Sequence, residues 1–251
     1  MEGNIKDKMV YIKDTNFLKK NLIAHRGVHN IKENIPENSI QAFKIAMEKN
    51  YIIELDLHIL KDNNIIVFHD NNLFRMTGIN KNLKDCTYSE IKKLKLQDTD
   101  NSIPLFKDVL KLVDGKVPLL IELKYDTKVG KLEKEVMKYL KEYKGKYAIM
   151  AFNPFSILYL KKEYPNVIRG QLACNLKNEN FNFIKRYILK NMVFNFIAKP
   201  DFISYCLDAM PNKVVKKFRK KGLAIGWTIK SKEELEKAKE YFDNFICENI
   251  L

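Results

Sequence analysis

Cysteine is scarce and scattered: Cys86, Cys174, Cys206 and Cys247 form no C-x-x-C pair, so neither a zinc knuckle nor a dense disulfide framework is indicated. A reducing, cytoplasmic setting is the simplest expectation. Glycine and proline are also sparse, at 9 and 7 of 251 residues, and no stretch is of low complexity, which excludes collagen-like structure and argues against a flexible interdomain linker. No eighteen apolar residues run together, and the N-terminal stretch lacks the apolar core of a signal peptide. Acidic residues are outnumbered, 31 against 45 Lys and Arg, leaving a net charge of +14. That balance favours small anionic partners such as phosphorylated metabolites, with an anionic membrane surface as a further peripheral contact. No nucleic-acid motif accompanies the charge, so nucleic acid is not an expected partner. The phosphate-cradling G-x-x-x-x-G-K-[ST] and G-x-G-x-x-G loops, the G-x-S-x-G elbow and the H-E-x-x-H helix are all absent.

What is present is a rhythm. Short β-rich apolar segments near 22–25, 51–57, 118–124, 147–152, 167–172, 201–205, 223–228 and 244–248 alternate with amphipathic helical ones, such as Ile40, Phe43 and Met47, or Leu132, Val136, Tyr139 and Tyr143. Eight β/α units without an evident boundary predict a single domain over 1–251 with the (β/α)8 TIM-barrel architecture, an α/β fold; a doubly wound open sheet fits the pattern less well. Asn38 followed by Gln41 predicts the cap of the first long helix. One segment, LHILKDNNIIVFHD at 57–70, holds a second β-like run too close to the first for a parallel crossover, so it predicts an antiparallel hairpin arm. A turn centred on Asn63 and Asn64 would pair His69 with about His58. Residues 71–103 then form a small insertion over the barrel mouth. The apolar residues there and in 176–200, including MVFNFIAKP, fit either a lipid-chain groove or the core; core packing is the expectation.

Side chains alternate along a strand, so Glu54, Asp56 and His58 share one face, as do Glu122 and Lys124. Taken singly, each pair also fits an exposed strand or a plain salt bridge. Together with His25 they all fall at predicted strand C-termini, where barrel enzymes place their chemistry, and clustered acids in a barrel need a cation among them. Three carboxylates without a cysteine ligand suggest a hard ion, Mg²⁺ or Ca²⁺. In IAHRG, His25 can move a proton near neutral pH and Arg26 can grip phosphate. His29 is a loop residue with no such context and is not among the candidates. His25 and His69 can supply the base and acid of phosphodiester cleavage, with Arg26, Lys124 and the ion facing the phosphoryl oxygens. A paired-carboxylate glycosidase is the third choice, since one tryptophan and a basic balance suit a sugar cleft poorly.

The motifs IAHRG at 23–27, PENS at 36–39, ELDLH at 54–58, FHD at 68–70, LFRMTG at 73–78, IPLF at 103–106, IELK at 121–124 and GWTI at 226–229 resemble the glycerophosphodiester phosphodiesterase family in order and spacing. The resemblance implies a TIM barrel, a divalent cation on Glu54, Asp56 and Glu122, and His25 and His69 as the catalytic pair. It also implies Arg26 and Lys124 at the phosphate, Glu37 near the same centre and Trp227 against the substrate. The implied reaction releases an alcohol and glycerol 3-phosphate; a lysophospholipase D, or a catalytically silent protein bound to lipid surfaces, are the alternatives. The chain departs from the family where FICENIL replaces the usual Thr-Asp or Thr-Asn and proline. A short or missing final helix is therefore expected, with the first twenty residues covering that end of the barrel.

Overall fold

In the computed structural model, residues 13–124, 128–175 and 182–250 are described. Their strands are β1 (Ile23–Ala24), β2 (Ile52–Ile59), β3 (Ile65–Val67), β4 (Leu119–Leu123), β5 (Tyr147–Ala151), β6 (Arg169–Ala173), β7 (Phe202–Cys206), β8 (Leu223–Ile229) and β9 (Asn244–Cys247). All but β3 run parallel, and because β1 pairs with both β2 and β9 the sheet closes into an eight-stranded barrel. The helices are α1 (Phe17–Lys20), α2 (Ile40–Glu48), α3 (Phe74–Thr77), α4 (Tyr88–Ile91), α5 (Phe106–Val113), α6 (Lys131–Leu140), α7 (Pro154–Glu163), α8 (Phe183–Lys190), α9 (Asn195–Ala198), α10 (Lys213–Arg219) and α11 (Lys232–Lys239). None is long and apolar enough to cross a membrane.

Strand alternation sorts the core into two layers. Outward residues such as Ile53, Leu55, Ile121 and Ile149 pack against α2, α5, α6 and α7. Inward residues Ile23, Ile52, Leu120, Met150, Leu172, Phe202 and Ile225 fill the barrel. Gly170 is required here, because a Cβ at that position would stand 2.2 Å from the Phe202 ring. Beneath the barrel, Phe17 and Leu18 of α1 join the interior cluster, and Asn244 Nδ2 donates to the Leu18 and Asn21 carbonyls. Part of the N-terminal segment therefore covers that end as expected; residues 1–12 lie outside the described residues. No helix follows β9 among the described residues.

The hairpin arm is present, but its register differs from the expected one. The turn centres on Asp62, whose carboxylate accepts from the Asn64 amides, so His58 pairs with Ile66 rather than with His69. The insertion after the arm carries its own buried cluster, with Leu73, Met76, Leu83, Ile91 and Leu96 packed on Leu60, Ile66 and Phe68. Core packing is the outcome for most of that segment, although Phe74 and Ile79 are exposed. In 182–200 the outcome is mixed: Met192 and Ala198 are buried, whereas Phe183, Ile184, Tyr187, Val193 and Phe196 are exposed, and Ile188 and Leu189 line a crevice with Pro154 and Gln171; residues 176–181 of that segment lie outside the described residues.

Candidate active site

The first polar side chains stand where β1 ends. The chain turns sharply at Arg26 (φ 54°) and Gly27 (φ 79°), and a Cβ on Gly27 would meet the Ala42 backbone at 2.9 Å, so only glycine lets α2 approach this closely. The turn directs His25 Nδ1 to donate to Glu248 Oε2 at 2.9 Å and the Arg26 amide to donate to Glu54 Oε2 at 2.9 Å. Arg26 reaches on to Glu37 at 2.8 Å and Asp56 at 3.3 Å. The helix cap lies one residue later than expected. Ser39 accepts from the Ala42 amide, which frees Asn38 to donate from Nδ2 to Asp56 Oδ2 at 2.8 Å.

Asp56 and Glu122 are register partners on the neighbouring strands β2 and β4, so their side chains lie side by side inside the barrel near Glu54. All three carboxylates are buried and offer oxygens within 4.8 Å of one another. Lys124 Nζ bridges two of them, at 2.9 Å from Asp56 and 2.5 Å from Glu122. Burial, together with the charges of Asp56 and Glu122, pushes the Glu54 pKa well up. Burial raises that of Glu122 too, although Lys124 opposes it. Asp56 goes the other way, since Lys124, Arg26 and His69 outweigh its burial. Three acids against the two cations Lys124 and Arg26 leave a deficit of positive charge, felt most at Glu54. A divalent cation fits this donor set by its oxygen chemistry, its charge and its compactness.

His69 arrives from the hairpin arm. The Phe68 amide donates to the Asp56 carbonyl at 3.0 Å, and His58 Nε2 donates to the His69 carbonyl at 3.1 Å, so fully buried His58 acts as a tie for the arm. His69 Nδ1 donates to Asp70 Oδ1 at 2.6 Å. Both His25 and His69 thus have a carboxylate on Nδ1, leaving Nε2 as the nitrogen with an open lone pair in each neutral ring. The Asp70 carboxylate is held in turn by Arg75, which also forks onto Glu37 at 2.7 and 3.0 Å. Glu37 therefore acts as a clamp between Arg26 and Arg75.

Across the mouth, Trp227 stands edge-on to Phe152 with ring centroids 5.7 Å apart, and its buried Nε1 has no hydrogen-bond partner among the described residues. The structure thus gathers His25, Arg26, Glu37, Glu54, Asp56, His69, Glu122 and Lys124 on one side of the opening, with Trp227 opposite. Sequence reasoning did not find Glu248, Asn38, Asp70 and Arg75. Asn38, Asp70 and Arg75 lie inside the quoted motifs PENS, FHD and LFRMTG; Glu248 stands in the departing FICENIL segment and carried no signal.

The family model described as "Glycerophosphoryl diester phosphodiesterase family" matches residues 25–243. The chain belongs to that family. It is similar to a glycerophosphodiester phosphodiesterase from Caldanaerobacter subterraneus subsp. tengcongensis, 33% identical over 236 residues that cover 88% of this chain and 90% of the relative. A lysophospholipase D from Homo sapiens is 35% identical over 144 residues, which cover 52% of this chain and 44% of that protein. Among solved structures, a phosphodiesterase from Oleispira antarctica in complex with the product sn-glycerol-3-phosphate superposes with a TM-score of 0.74 at 17% identity, covering 92% of this chain and 93% of that one. The protein is thus a phosphodiesterase of TIM-barrel fold.

Proposed function

We propose that this enzyme hydrolyses glycerophosphodiesters, the deacylated phospholipids, to an alcohol and sn-glycerol 3-phosphate. The observation that carries the reading is the pair of carboxylate-oriented imidazoles, His25 with Glu248 and His69 with Asp70, beside a buried centre of three carboxylates. An attacking oxygen, from water or from the glycerol itself, forms a bond to phosphorus as one Nε2 takes its proton. The bond from phosphorus to the alcohol oxygen breaks as the other imidazole delivers a proton there. When the glycerol hydroxyl attacks, water later opens the cyclic ester, so one water is consumed in either course. Each such transfer contributes about 10²–10⁴-fold.

Glu54, Asp56 and Glu122 would hold Mg²⁺ or Ca²⁺, which supplies positive charge against the phosphoryl oxygens as negative charge builds there. Lys124 and Arg26 add to that field from fixed positions, and Glu37 keeps Arg26 aimed. Burial excludes water and lets these charges act at low screening. Trp227 would pack against the glycerol or alcohol portion.

The test is direct incubation with glycerophosphocholine, glycerophosphoethanolamine and a lysophospholipid, each with Mg²⁺, Ca²⁺ or EDTA. Cation-dependent release of glycerol 3-phosphate from the first two is expected. No release from any substrate would favour a silent lipid-binding protein instead. A second reading, lysophospholipase D, is favoured by the exposed aromatics Phe152, Phe155, Phe183 and Tyr187, with the half-buried Phe194 ring 5.2 Å from that of Phe155.

A further inference from the structure

All four histidines of the chain lie between residues 25 and 69. Three have a part in the site: His25 and His69 as oriented imidazoles, His58 as the tie of the arm. His29 has none. It is half-buried in the turn between β1 and α2, and its Nε2 is closed off from solvent without a hydrogen-bond partner among the described residues. A buried polar atom left in that state is costly unless something binds it. One ring nitrogen of His29, one of His25 and one oxygen of Glu248 lie within 4.8 Å of each other. Burial lowers the pKa of both histidines, and the hydrogen bond from His25 holds the Glu248 carboxyl down at about 2. Two imidazoles and a carboxylate within such reach of one another are groups that ligate a metal.

We propose that His25, His29 and Glu248 form a second metal site that takes a borderline transition ion of the Zn²⁺ class and arrests turnover when filled. Two imidazoles and one carboxylate with an open side are a donor set for such ions, whereas the neighbouring trio of carboxylates suits hard ones, so one mouth carries two sites of different chemistry. Two nearby cations are themselves occupied, Arg26 with Glu37 and Asp56 and Arg75 with Glu37 and Asp70, while Lys230 adds a positive charge near Glu248. Arrest follows from the valence of the ring. A metal on either nitrogen of His25 leaves at most a proton on the other, so no lone pair remains to accept one. This step rests on His25 being a proton-transfer group of the hydrolase.

The test uses the full chain saturated with Mg²⁺, titrated with buffered Zn²⁺ while turnover is followed, and in parallel with Co²⁺, whose visible absorption reports imidazole ligation independently of activity. Wild type should lose turnover as Zn²⁺ rises and should not regain it with more Mg²⁺. His29→Ala, outside the catalytic groups, should keep its Mg²⁺-supported turnover, need about tenfold more Zn²⁺ for arrest and lose the Co²⁺ bands. His29→Cys, which returns a ligand, should restore tight arrest. Unchanged Zn²⁺ sensitivity and Co²⁺ bands in His29→Ala would show that His29 holds no ion and overturn the proposal. A chain without turnover before Zn²⁺ is added would defeat the hydrolase reading alone, and the Co²⁺ bands of the two variants would still decide whether the site exists.

Discussion

The two sides of the barrel mouth are built from the same strand geometry and opposite chemistry. Where β1, β2, β4 and β9 end, the inward positions are His25, Glu54, Asp56, Glu122, Lys124 and Glu248, each held by a partner of opposite charge or by a backbone amide. Where β5 to β8 end, the corresponding positions are Phe152, Cys174, Cys206 and Trp227, and exposed Phe155 follows Phe152 in the first turn of α7, its ring 5.2 Å from that of Phe194. A fold of eight equivalent units has been polarised. One side can do work on a phosphoryl group because its charges are fixed and dry, and the other can hold whatever uncharged group the phosphate carries.

The largest expected effect breaks the charged side at its proton carriers. His25→Ala and His69→Ala should each lower kcat/KM by about 10²–10⁴. Steady-state assays on glycerophosphocholine read this directly, and near-normal turnover in either variant would remove that histidine from the mechanism. The fold should survive, since neither ring belongs to the apolar interior.

Next comes Lys124→Met, which leaves Asp56 and Glu122 buried without their bridging ammonium. Loss of one partner from a buried ionic cluster costs about 3–5 kcal/mol. Urea unfolding should show that loss, and added Mg²⁺ or Ca²⁺ should recover more stability in the variant than in wild type, because the ion replaces the missing charge. Equal recovery in both would mean that the carboxylates do not share an ion with Lys124.

Much of the charged side was legible because it obeys local periods. The ELDLH and IELK runs fix by parity alone that Glu54, Asp56, Glu122 and Lys124 face one way, and the few residues between β2 and the second run exclude a parallel crossover. What escaped depends on choices made at a distance. Asn38 and Ser39 are both good caps, and the decision falls to Asp56, eighteen positions on, which engages Asn38. The arm slipped from its expected register because the Asp62 carboxylate ties the turn to Asn64 and Tyr88. Glu248 meets His25 across 223 positions of chain, and His29 joins them only once the barrel has closed. The expectation of core packing in 182–200 failed in part, for a different reason. Hydrophobic residues in 182–200 carry the period of a helix, but a period does not say whether its apolar face finds a neighbour.

Glu248→Gln sharpens the charged side without emptying it. The amide still accepts from His25 Nδ1 but loses the charge, and a hydrogen bond to a charged group is worth about 1.5–3 kcal/mol, so turnover should fall roughly ten- to a hundredfold. The pH behaviour gives the sign. Burial lowers the His25 pKa and Glu248 partly opposes that shift, so neutralising Glu248 moves the pKa lower still. Whichever limb of the pH–rate profile belongs to His25 should therefore move to lower pH, and ring titration by NMR should move with it. An upward move would show that Glu248 does not act on His25 by its charge.

The smallest effect concerns the apolar side, and it separates the two substrate readings. Phe183 and Tyr187 lie on one face of α8, their ring centroids 6.5 Å apart, and Phe183 is 81% exposed, so neither supports the core. Exposed aromatic surface of this extent gains free energy only when something apolar covers it. An acyl chain could do so; glycerophosphocholine has none. Phe183→Asp combined with Tyr187→Asp should lower kcat/KM on a lysophospholipid by roughly tenfold, the equivalent of 1.4 kcal/mol and well within what burying such side chains contributes. Turnover of glycerophosphocholine should be unchanged, since neither side chain belongs to the charged centre. If both substrates lose activity alike, α8 supports the mouth structurally. If neither does, the aromatic face serves no acyl chain and the polarity of the mouth stops at Trp227.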